Sequence, residues 1–333
     1  MDMCKWVADA IAADKKKAVP VLSFPAVQLM DITVKDLIGS SEKQAEAMRL
    51  VAQRCNTGAS VSFMDLSVEA EAFGSEIVVS DDEVPTVVGC IVDEDSDPDD
   101  LKVPEVGAGR TGLYLDAIEK AAQEIADRPV LAGCIGPYSL AGRLMDVSEI
   151  MILCYEDPQL VHSVLEKASQ FIIGYAQAFK ERGADGIVMA EPLAGLLSPN
   201  LAEEFSAAYV KRIIEAVQTD EFAVIYHNCG GGVVKTIDSI KSNGAAGYHF
   251  GNAINMAEVL PLMPDNVLVM GNVDPAGELR GGTPESVAAK TAEILQECSK
   301  YPNFVISTGC DVPPMSPWEN IDAFFAAVEK FYN

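Results

Sequence analysis

The sequence predicts an α/β protein folded as one (β/α)8 TIM barrel, and two patterns carry this prediction. Eight short apolar runs alternate with longer stretches in which apolar residues recur every three or four positions, the spacing of an amphipathic helix. Most of the short runs lack polar–apolar alternation, which is typical of parallel strands covered on both faces. Eight strand–helix units in 333 residues fit the size of a single barrel. We therefore expect residues 1–333 to form one domain.

The predicted strands are short and mostly apolar. They are residues 19–24, 59–65, 130–135, 186–189, 223–227, 247–250, 267–271 and 304–308. An open, doubly wound sheet is the competing architecture. No G-x-G-x-x-G pattern follows the first predicted strand, which disfavours the dinucleotide-binding form of that sheet.

Capping residues and prolines mark the helices that are predicted most clearly. These helices are residues 157–182, 199–219, 283–300 and 317–332. Asp157 and Thr283 each precede a proline, which is the usual order of an N-cap and a first helical residue. Gly183 follows the first of these helices and predicts its end.

The segment between the second and third strands is too long for one crossover helix. It contains a β segment near residues 77–92, an acidic tract at 93–100 and a helix around 113–125. We therefore expect an insertion at residues 66–129 that caps the barrel. The acidic tract is expected to be a solvated loop, with a cation site as the alternative.

The charge balance excludes two classes of partner. The chain has 24 Lys and Arg against 50 Asp and Glu, for a net charge of −26. Such a surface repels nucleic acid and anionic lipid. No apolar run approaches the roughly 20 residues of a spanning helix, and the N-terminus does not resemble a signal peptide. We expect a cytoplasmic protein without nucleic-acid binding or membrane insertion, whose eight dilute cysteines do not form a disulfide scaffold.

Potential metal ligands follow two of the predicted strands. His227 and Cys229 come at the end of the fifth strand, two residues apart, so an extended backbone places them on the same side. Cys310 follows the eighth strand. Catalytic groups of barrel enzymes lie at the carboxyl ends of the strands, so all three side chains are expected on one face. One imidazole and two thiolates suit Zn²⁺ with a fourth position open, while buried thiols without a metal are the alternative.

Other polar residues also lie at predicted strand ends. Glu191 follows the fourth strand and is expected either to face the same cavity or to form an ion pair on the barrel rim. His249 ends the sixth strand and is a further candidate. Asn272 and Asp274 follow the seventh strand, where helix capping is the alternative role.

The remaining strand-end candidates are Asp65, which ends the second strand, and Tyr138, which follows the third. His162 lies inside a predicted helix and is expected to be a packed or surface residue. The other six cysteines lack partner ligands nearby in the sequence and are expected to be structural. They are Cys4, Cys55, Cys90, Cys134, Cys154 and Cys298.

Taken together, the motifs resemble the uroporphyrinogen decarboxylase superfamily, and within it the zinc methyltransferase branch that contains methylcobamide:coenzyme M methyltransferases. The motifs are DLSVEAEAFG at 65–74, GP at 136–137, EP at 191–192, HNCG at 227–230, GNVDP at 271–275, TGCDVPP at 308–314 and PWEN at 317–320. The resemblance implies a (β/α)8 barrel and zinc held by His227, Cys229 and Cys310. It also implies a methylcorrinoid co-substrate carried by a partner corrinoid protein, with a small molecule as methyl acceptor.

One region departs from the decarboxylases. Those enzymes share an arginine-rich N-terminal block, Arg-Gln-Ala-Gly-Arg, whereas the matching residues 20–30 here contain no arginine. A porphyrinogen with many carboxylates needs cations in its cavity, so porphyrinogen decarboxylation is disfavoured.

The resemblance implies methyl transfer to an acceptor thiol such as coenzyme M, with zinc activating the thiolate. Arg110 and Arg143 are candidate cations for a sulfonate. Tetrahydrofolate is an alternative acceptor, and a non-catalytic corrinoid-binding module is the alternative in another class. Under this hypothesis Glu191 and His249 are candidate catalytic residues. The candidate cofactor-binding residues are Asp65, Tyr138, Asn272 and Asp274.

Overall fold

The structure, a computed structural model, describes all 333 residues and contains nine strands. These are β1 (Ser60–Val61), β2 (Glu76–Val78), β3 (Thr86–Val88), β4 (Val130–Ile135), β5 (Gly186–Ala190), β6 (Ala223–Asn228), β7 (Gly247–Phe250), β8 (Leu268–Val273) and β9 (Phe304–Thr308). Seven of them form one parallel sheet in the order β1-β4-β5-β6-β7-β8-β9. β2 and β3 form a separate antiparallel pair.

Fifteen α-helices accompany the strands. They are α1 (Met3–Ala12), α2 (Ala26–Met30), α3 (Val34–Ile38), α4 (Ser41–Arg54), α5 (Val68–Phe73), α6 (Thr111–Glu124), α7 (Pro137–Met145), α8 (Val147–Glu156), α9 (Pro158–Glu181), α10 (Pro199–Ala202), α11 (Ala208–Val217), α12 (Val233–Ser242), α13 (Met256–Val259), α14 (Pro284–Cys298) and α15 (Trp318–Tyr332). Short 3₁₀ segments lie at Pro98–Asp100, Pro192–Leu196 and Leu260–Leu262, and π turns at Glu203–Ala207 and Pro275–Arg280. None of the helices is both long enough and apolar enough to span a membrane.

The parallel sheet curls on itself, so it has an inside and an outside. Alternate strand residues such as Val188, Ile225 and Met270 pack together in the interior. The residues between them, such as Met189 and Tyr226, belong to the larger core between the sheet and the helices. The prediction of an α/β, TIM-barrel-like fold is therefore confirmed.

The predicted first strand, residues 19–24, is not a regular strand. Its backbone still bridges the two edge strands, because the N–H of Val19 donates to Ile306 of β9 (3.1 Å) and the N–H of Gly58, just before β1, donates to Ala18 (2.8 Å). Pro20 has no N–H to donate, and the N–H of Val21 bonds the hydroxyl oxygen of Thr308 (3.1 Å). The segment thus occupies the eighth strand position without a continuous ladder. The predicted second strand is likewise shorter, at Ser60–Val61.

The predicted helices are found close to their expected ends. Asp157 caps α9 by accepting from the N–H of Leu160 (3.1 Å), and Thr283 caps α14 in a capping box. The helix predicted over residues 199–219 is interrupted. A π turn at Glu203–Ala207 separates α10 from α11.

The long segment after β1 contains α5, the β2–β3 pair and α6. Helix α6 packs against α4, α9 and β4 and so lies in the outer layer of helices. The acidic tract is exposed, and its Asp93 and Asp97 side chains accept N–H bonds from their own loop, as expected of a solvated loop. That residues 66–129 are an insertion stays a prediction.

Candidate metal centre

Three metal-ligating side chains meet at the carboxyl ends of β6 and β9. His227 is the fifth residue of β6, Cys229 follows that strand, and Cys310 lies two residues beyond β9. One donor atom from each residue lies within 4.8 Å of the other two. The Sγ atom of Cys310 is 3.5 Å from Nε2 of His227. The histidine is buried and the two cysteines are partly exposed, so a ligand can reach the sulfur side of the cluster.

The turn after β6 is held by its own side chains. The side-chain oxygen of Asn228 accepts from the N–H of Gly230 (2.9 Å), and its amide donates to the Tyr226 hydroxyl (3.1 Å). A Cβ atom on Gly230 would lie 2.6 Å from Cα of Gly195, so only glycine fits where these two backbones meet. These contacts set the position of Cys229 between Asn228 and Gly230.

Glycines after β7 and β9 allow the neighbouring loops to approach the cysteines. A Cβ atom on Gly251 would overlap the Cβ atom of Cys229, and one on Gly309 would lie 2.6 Å from the backbone nitrogen of Asn252. Asn272 donates from its side-chain amide to the carbonyls of Gly251 (2.8 Å) and Ile254 (2.6 Å). The predicted site residue Asn272 therefore supports the loop that packs on Cys229.

The two thiols differ strongly in acidity. A hydrogen bond from Cys310 lowers the pKa of the Cys229 thiol well below its usual value, against the opposing effect of burial. The contact with Cys229 and burial raise the pKa of Cys310 well above its usual value. In the metal-free protein the Cys310 thiol thus donates a hydrogen bond to the Cys229 thiolate. An electron-rich pair of this kind is suited to binding a cation.

The donor set fits a zinc ion. Tetrahedral zinc with bonds of about 2.0 Å to nitrogen and about 2.3 Å to sulfur separates those two ligand atoms by roughly 3.5 Å. The distance from His227 Nε2 to Cys310 Sγ is 3.5 Å. One nitrogen and two sulfurs leave one of four positions for a further ligand. The donor set therefore has the composition expected of a zinc site with one open position.

His249 lies behind His227, away from the cysteines. Its Nδ1 atom is 2.7 Å from Nδ1 of His227, and its Nε2 atom is 2.7 Å from the Ser307 hydroxyl oxygen. Both histidines are only 2% exposed. His249 was predicted as a catalytic candidate, but its two ring nitrogens are engaged by protein groups.

Glu191 does not point into the site. It follows Ala190, an interior residue paired with His227, so its side chain points to the opposite face of the sheet. There its carboxylate accepts from the backbone N–H groups of Tyr138 (3.0 Å) and Ser139 (2.6 Å) in the first turn of α7. The expectation of a carboxylate in the cysteine cavity is not supported by this placement, because both oxygens of Glu191 hold the N-terminus of α7.

Asp65 is the centre of a buried ionic network. It pairs with Arg110 (2.5 Å) and accepts from the Tyr114 hydroxyl (2.8 Å) and from Ser67. Arg110 also pairs with Glu71 (2.6 Å), so its guanidinium is occupied by two carboxylates. The other sulfonate candidate, Arg143 of α7, is half-buried and forms no ion pair.

Two more candidates have structural contacts. The carboxylate of Asp274 accepts from the N–H groups of Ala276 and Gly277, both at 2.9 Å, and so caps the π turn that follows β8. Tyr138 is fully buried, and its hydroxyl lies 3.7 Å from the sulfur of Cys154. His162, expected outside the site, stacks on Phe205 and contacts the Tyr209 hydroxyl (2.8 Å).

Two polar residues near the cysteines were not among those predicted from the sequence, the half-buried Asp311 and the buried Ser307. Asp311 follows Cys310, accepts from the N–H of Met64 (2.9 Å) with one oxygen, and has no partner for the other. Ser307 of β9 contacts His249. The available signal was weak: an acid directly after a proposed ligand, and a serine in an otherwise apolar strand.

The comparisons with known proteins agree with this picture. The sequence model described as uroporphyrinogen decarboxylase (URO-D) matches residues 16–331. The chain is 27% identical over 271 residues to methylcobamide:CoM methyltransferase MtbA of Methanosarcina acetivorans, covering 80% of this chain and 78% of that protein. It is 26% identical over 304 residues to a uroporphyrinogen decarboxylase of Coxiella burnetii, covering 87% and 82%. Among solved structures, a methyltransferase from Methanosarcina mazei superposes over the whole of both chains with a TM-score of 0.86 at 24% identity, which shows the shared fold.

Proposed function

The chain belongs to the uroporphyrinogen decarboxylase (URO-D) family, and from this premise we propose that it transfers a methyl group from a methylated corrinoid to an acceptor thiol. The observation that carries the proposal is the meeting of His227, Cys229 and Cys310 within 4.8 Å at the carboxyl ends of two barrel strands. These three residues would hold one zinc ion. The similarity to methylcobamide:CoM methyltransferase MtbA supports the same activity.

The chemistry follows from the reactivity of thiols. A free thiol is mostly protonated at neutral pH, and only the thiolate is a good nucleophile. A zinc ion held by these residues would act as a Lewis acid and lower the pKa of an acceptor thiol. In the transfer, the acceptor sulfur forms a bond to the methyl carbon and the cobalt–carbon bond breaks. The electron pair of the broken bond stays on cobalt, so cobalt(III) becomes cobalt(I). The thiol proton leaves to solvent.

Different residues of the chain would bind the zinc and leave room for the acceptor. His227 is buried and fixed from behind, while Cys229 and Cys310 face a partly exposed space where an acceptor sulfur can enter. Two sulfur donors place negative charge at the site, which keeps a bound acceptor electron-rich. The glycines at 230, 251 and 309 let the three loops close around the sulfurs.

The surface supports a protein carrier for the corrinoid. With a net charge of −26, the chain would attract a basic face and repel an acidic one, so the carrier is expected to dock through a basic or largely apolar face. Exposed apolar residues lie in the connections that follow the strands, on the same end of the barrel as the cysteines. They include Leu29, Leu196 and Met315.

A metal measurement tests the first part of the proposal. The purified protein should bind about one zinc per chain, and Cys310→Ala should lose it. Cys55→Ala is the matched control, because Cys55 is a buried cysteine at the end of α4, outside the cluster. A folded protein with no affinity for zinc would contradict the proposal.

A transfer assay tests the second part and identifies the acceptor. Methylcobalamin is mixed with the zinc-loaded protein and either coenzyme M, 2-mercaptoethanol or tetrahydrofolate, and the absorbance change to cobalt(I) is followed. Turnover with the thiols supports the proposal. Turnover with tetrahydrofolate alone would assign an amine acceptor instead. Absence of turnover with all three, despite bound zinc, would point to a non-catalytic corrinoid-binding role.

A further inference from the structure

A chain of hydrogen bonds runs from the proposed zinc ligands to the wall of the barrel. Ser307 lies 2.7 Å from the backbone carbonyl oxygen of Val19 and 2.7 Å from Nε2 of His249. His249 in turn lies 2.7 Å from His227 through their Nδ1 atoms. All three side chains are almost fully buried, so water does not supply alternative partners.

The direction of every bond in this chain is fixed by the carbonyl at its end. A carbonyl oxygen only accepts, so the single hydroxyl proton of Ser307 goes to Val19. The Ser307 oxygen must then accept from Nε2–H of His249. A buried imidazole without an acidic partner is neutral, so Nδ1 of His249 carries a lone pair. Because two lone pairs cannot face each other at 2.7 Å, His227 must donate from Nδ1–H.

The consequence reaches the cysteines. With its proton on Nδ1, the neutral ring of His227 has a lone pair on Nε2, the atom that lies 3.5 Å from Cys310 Sγ. The backbone carbonyl of His249 lies 3.2 Å from Nδ1 of His227 and favours the same tautomer. Only this tautomer presents a donor atom to a cation between the histidine and the sulfurs.

The geometry points to His249 and Ser307 as positioning residues that hold His227 in the Nδ1–H tautomer, with Nε2 preset for zinc. This inference rests on the proposed function for its metal and goes beyond it in assigning a role to two residues that touch neither zinc nor substrate. It also gives the irregular first segment a role, because Val19 supplies the carbonyl that sets the polarity. Such supporting groups typically contribute 10- to 100-fold to metal affinity.

The chain provides a matched pair of serine variants. Ser307→Ala removes the hydroxyl that orients His249. Ser23→Ala removes another buried hydroxyl that donates to a barrel-wall carbonyl, that of Val61 (2.6 Å), but contacts no histidine. By chelator competition, we expect Ser307→Ala to raise the zinc Kd about tenfold and Ser23→Ala to leave it unchanged. His249→Ala should also weaken binding, and His249→Gln should recover part of it, because a carboxamide oxygen can accept from His227.

A spectroscopic measurement reads the tautomers directly. The protein has three histidines, and His162→Gln removes the one outside the chain of bonds. In long-range proton–nitrogen spectra of the zinc-loaded, 15N-histidine-labelled protein, His249 should be the Nε2–H tautomer and His227 should carry its proton on Nδ1. Ser307→Ala should convert His249 to a mixture of its Nδ1–H and Nε2–H tautomers. A merely structural role for Ser307 would leave these signals in place.

The outcomes separate this inference from the proposed function. If Ser307→Ala and Ser23→Ala bind zinc with equal affinity, the inference is overturned but the metal site is not. The same holds if His249 is the Nδ1–H tautomer in the zinc-loaded protein. A wild-type protein that binds no zinc would overturn the metal site and the inference together.

Discussion

Gly251 packs directly against Cys229, and a Cβ atom on Gly251 would overlap the Cβ atom of Cys229. Gly251→Ala must therefore push the cysteine away from its position beside Cys310. Misplacing a ligand by an ångström destroys tetrahedral geometry, so we expect zinc affinity to fall by at least about tenfold. Titration with a chromophoric chelator measures it. The control is Gly231→Ala, two residues after Cys229, since a Cβ atom there meets nothing within 4 Å. Equal affinities in the two variants would contradict the prediction.

The exposure of the cysteines predicts which of them zinc protects. Cys229 and Cys310 are partly exposed, Cys4 and Cys90 are exposed, and the other four are buried. In the native metal-free protein, iodoacetamide should label the first four, with Cys310 the slowest to react because its raised pKa keeps its thiol protonated. Zinc should block labelling at Cys229 and Cys310 only, as read by peptide mass spectrometry. Cys4 and Cys90 serve as internal controls, and unprotected labelling of Cys310 at saturating zinc would argue against its role as a ligand.

Burial raises the pKa of the Glu191 carboxyl from an ordinary 4.5 to about 7, against the hydrogen bonds from Ser139 and Tyr138. The folded state then binds this proton more tightly than the unfolded state. The stability it contributes is fully present below about pH 4.5 and is lost as the pH rises through about 7.

We therefore expect the free energy of unfolding of the wild type to fall, relative to that of Glu191→Gln, by about 2 kcal/mol between about pH 5.5 and about pH 8.5. The amide does not titrate but keeps an oxygen for the N-terminus of α7. Urea denaturation of both proteins across this range measures the difference. Parallel stability curves would show that Glu191 does not titrate there.

The pairing of Arg110 with Asp65 predicts a structural rather than a substrate-binding role. The Asp65 side chain is 0% exposed, so Arg110→Ala leaves a buried charge without its partner. We expect a loss of about 3–5 kcal/mol in unfolding free energy, measured by urea denaturation. Arg212→Ala breaks the exposed pair with Glu166, whose side chains are about half exposed, and should cost at most about 1 kcal/mol.

The same variant tests whether Arg110 binds an anionic acceptor. If the Arg110→Ala protein is assayed at a temperature where it is folded, its KM for coenzyme M should be unchanged. A selective rise in KM for coenzyme M, without one for the neutral 2-mercaptoethanol, would assign Arg110 to the acceptor site instead.

Much of the fold could be predicted because it depends on local signals. Apolar runs without alternation identified seven strands of the parallel sheet, and caps such as Asp157 and Thr283 marked the helix starts. The first segment was predicted as a regular strand and is not one. The prediction followed the apolar pattern of this segment, although Pro20 lacks the N–H that a continuous strand ladder needs.

By itself, the sequence determined the three proposed metal ligands. His227 and Cys229 share a side of an extended segment because they are two residues apart, and parallel strands deliver their carboxyl ends, including Cys310, to one face. These are properties of the backbone and do not depend on how side chains pack.

Only the tertiary structure decided which neighbours face those ligands. The sheet register pairs Ala190 and His249 with His227, so His249 joins the interior while Glu191, one residue after Ala190, points to the helices. A shift of one residue in the register would turn His249 toward the helices and Glu191 toward the interior, because side chains alternate along a strand. Register is set by packing across the whole barrel, and for that reason the orientation of Glu191 and the contact of His249 with Ser307 could not be predicted from local pattern.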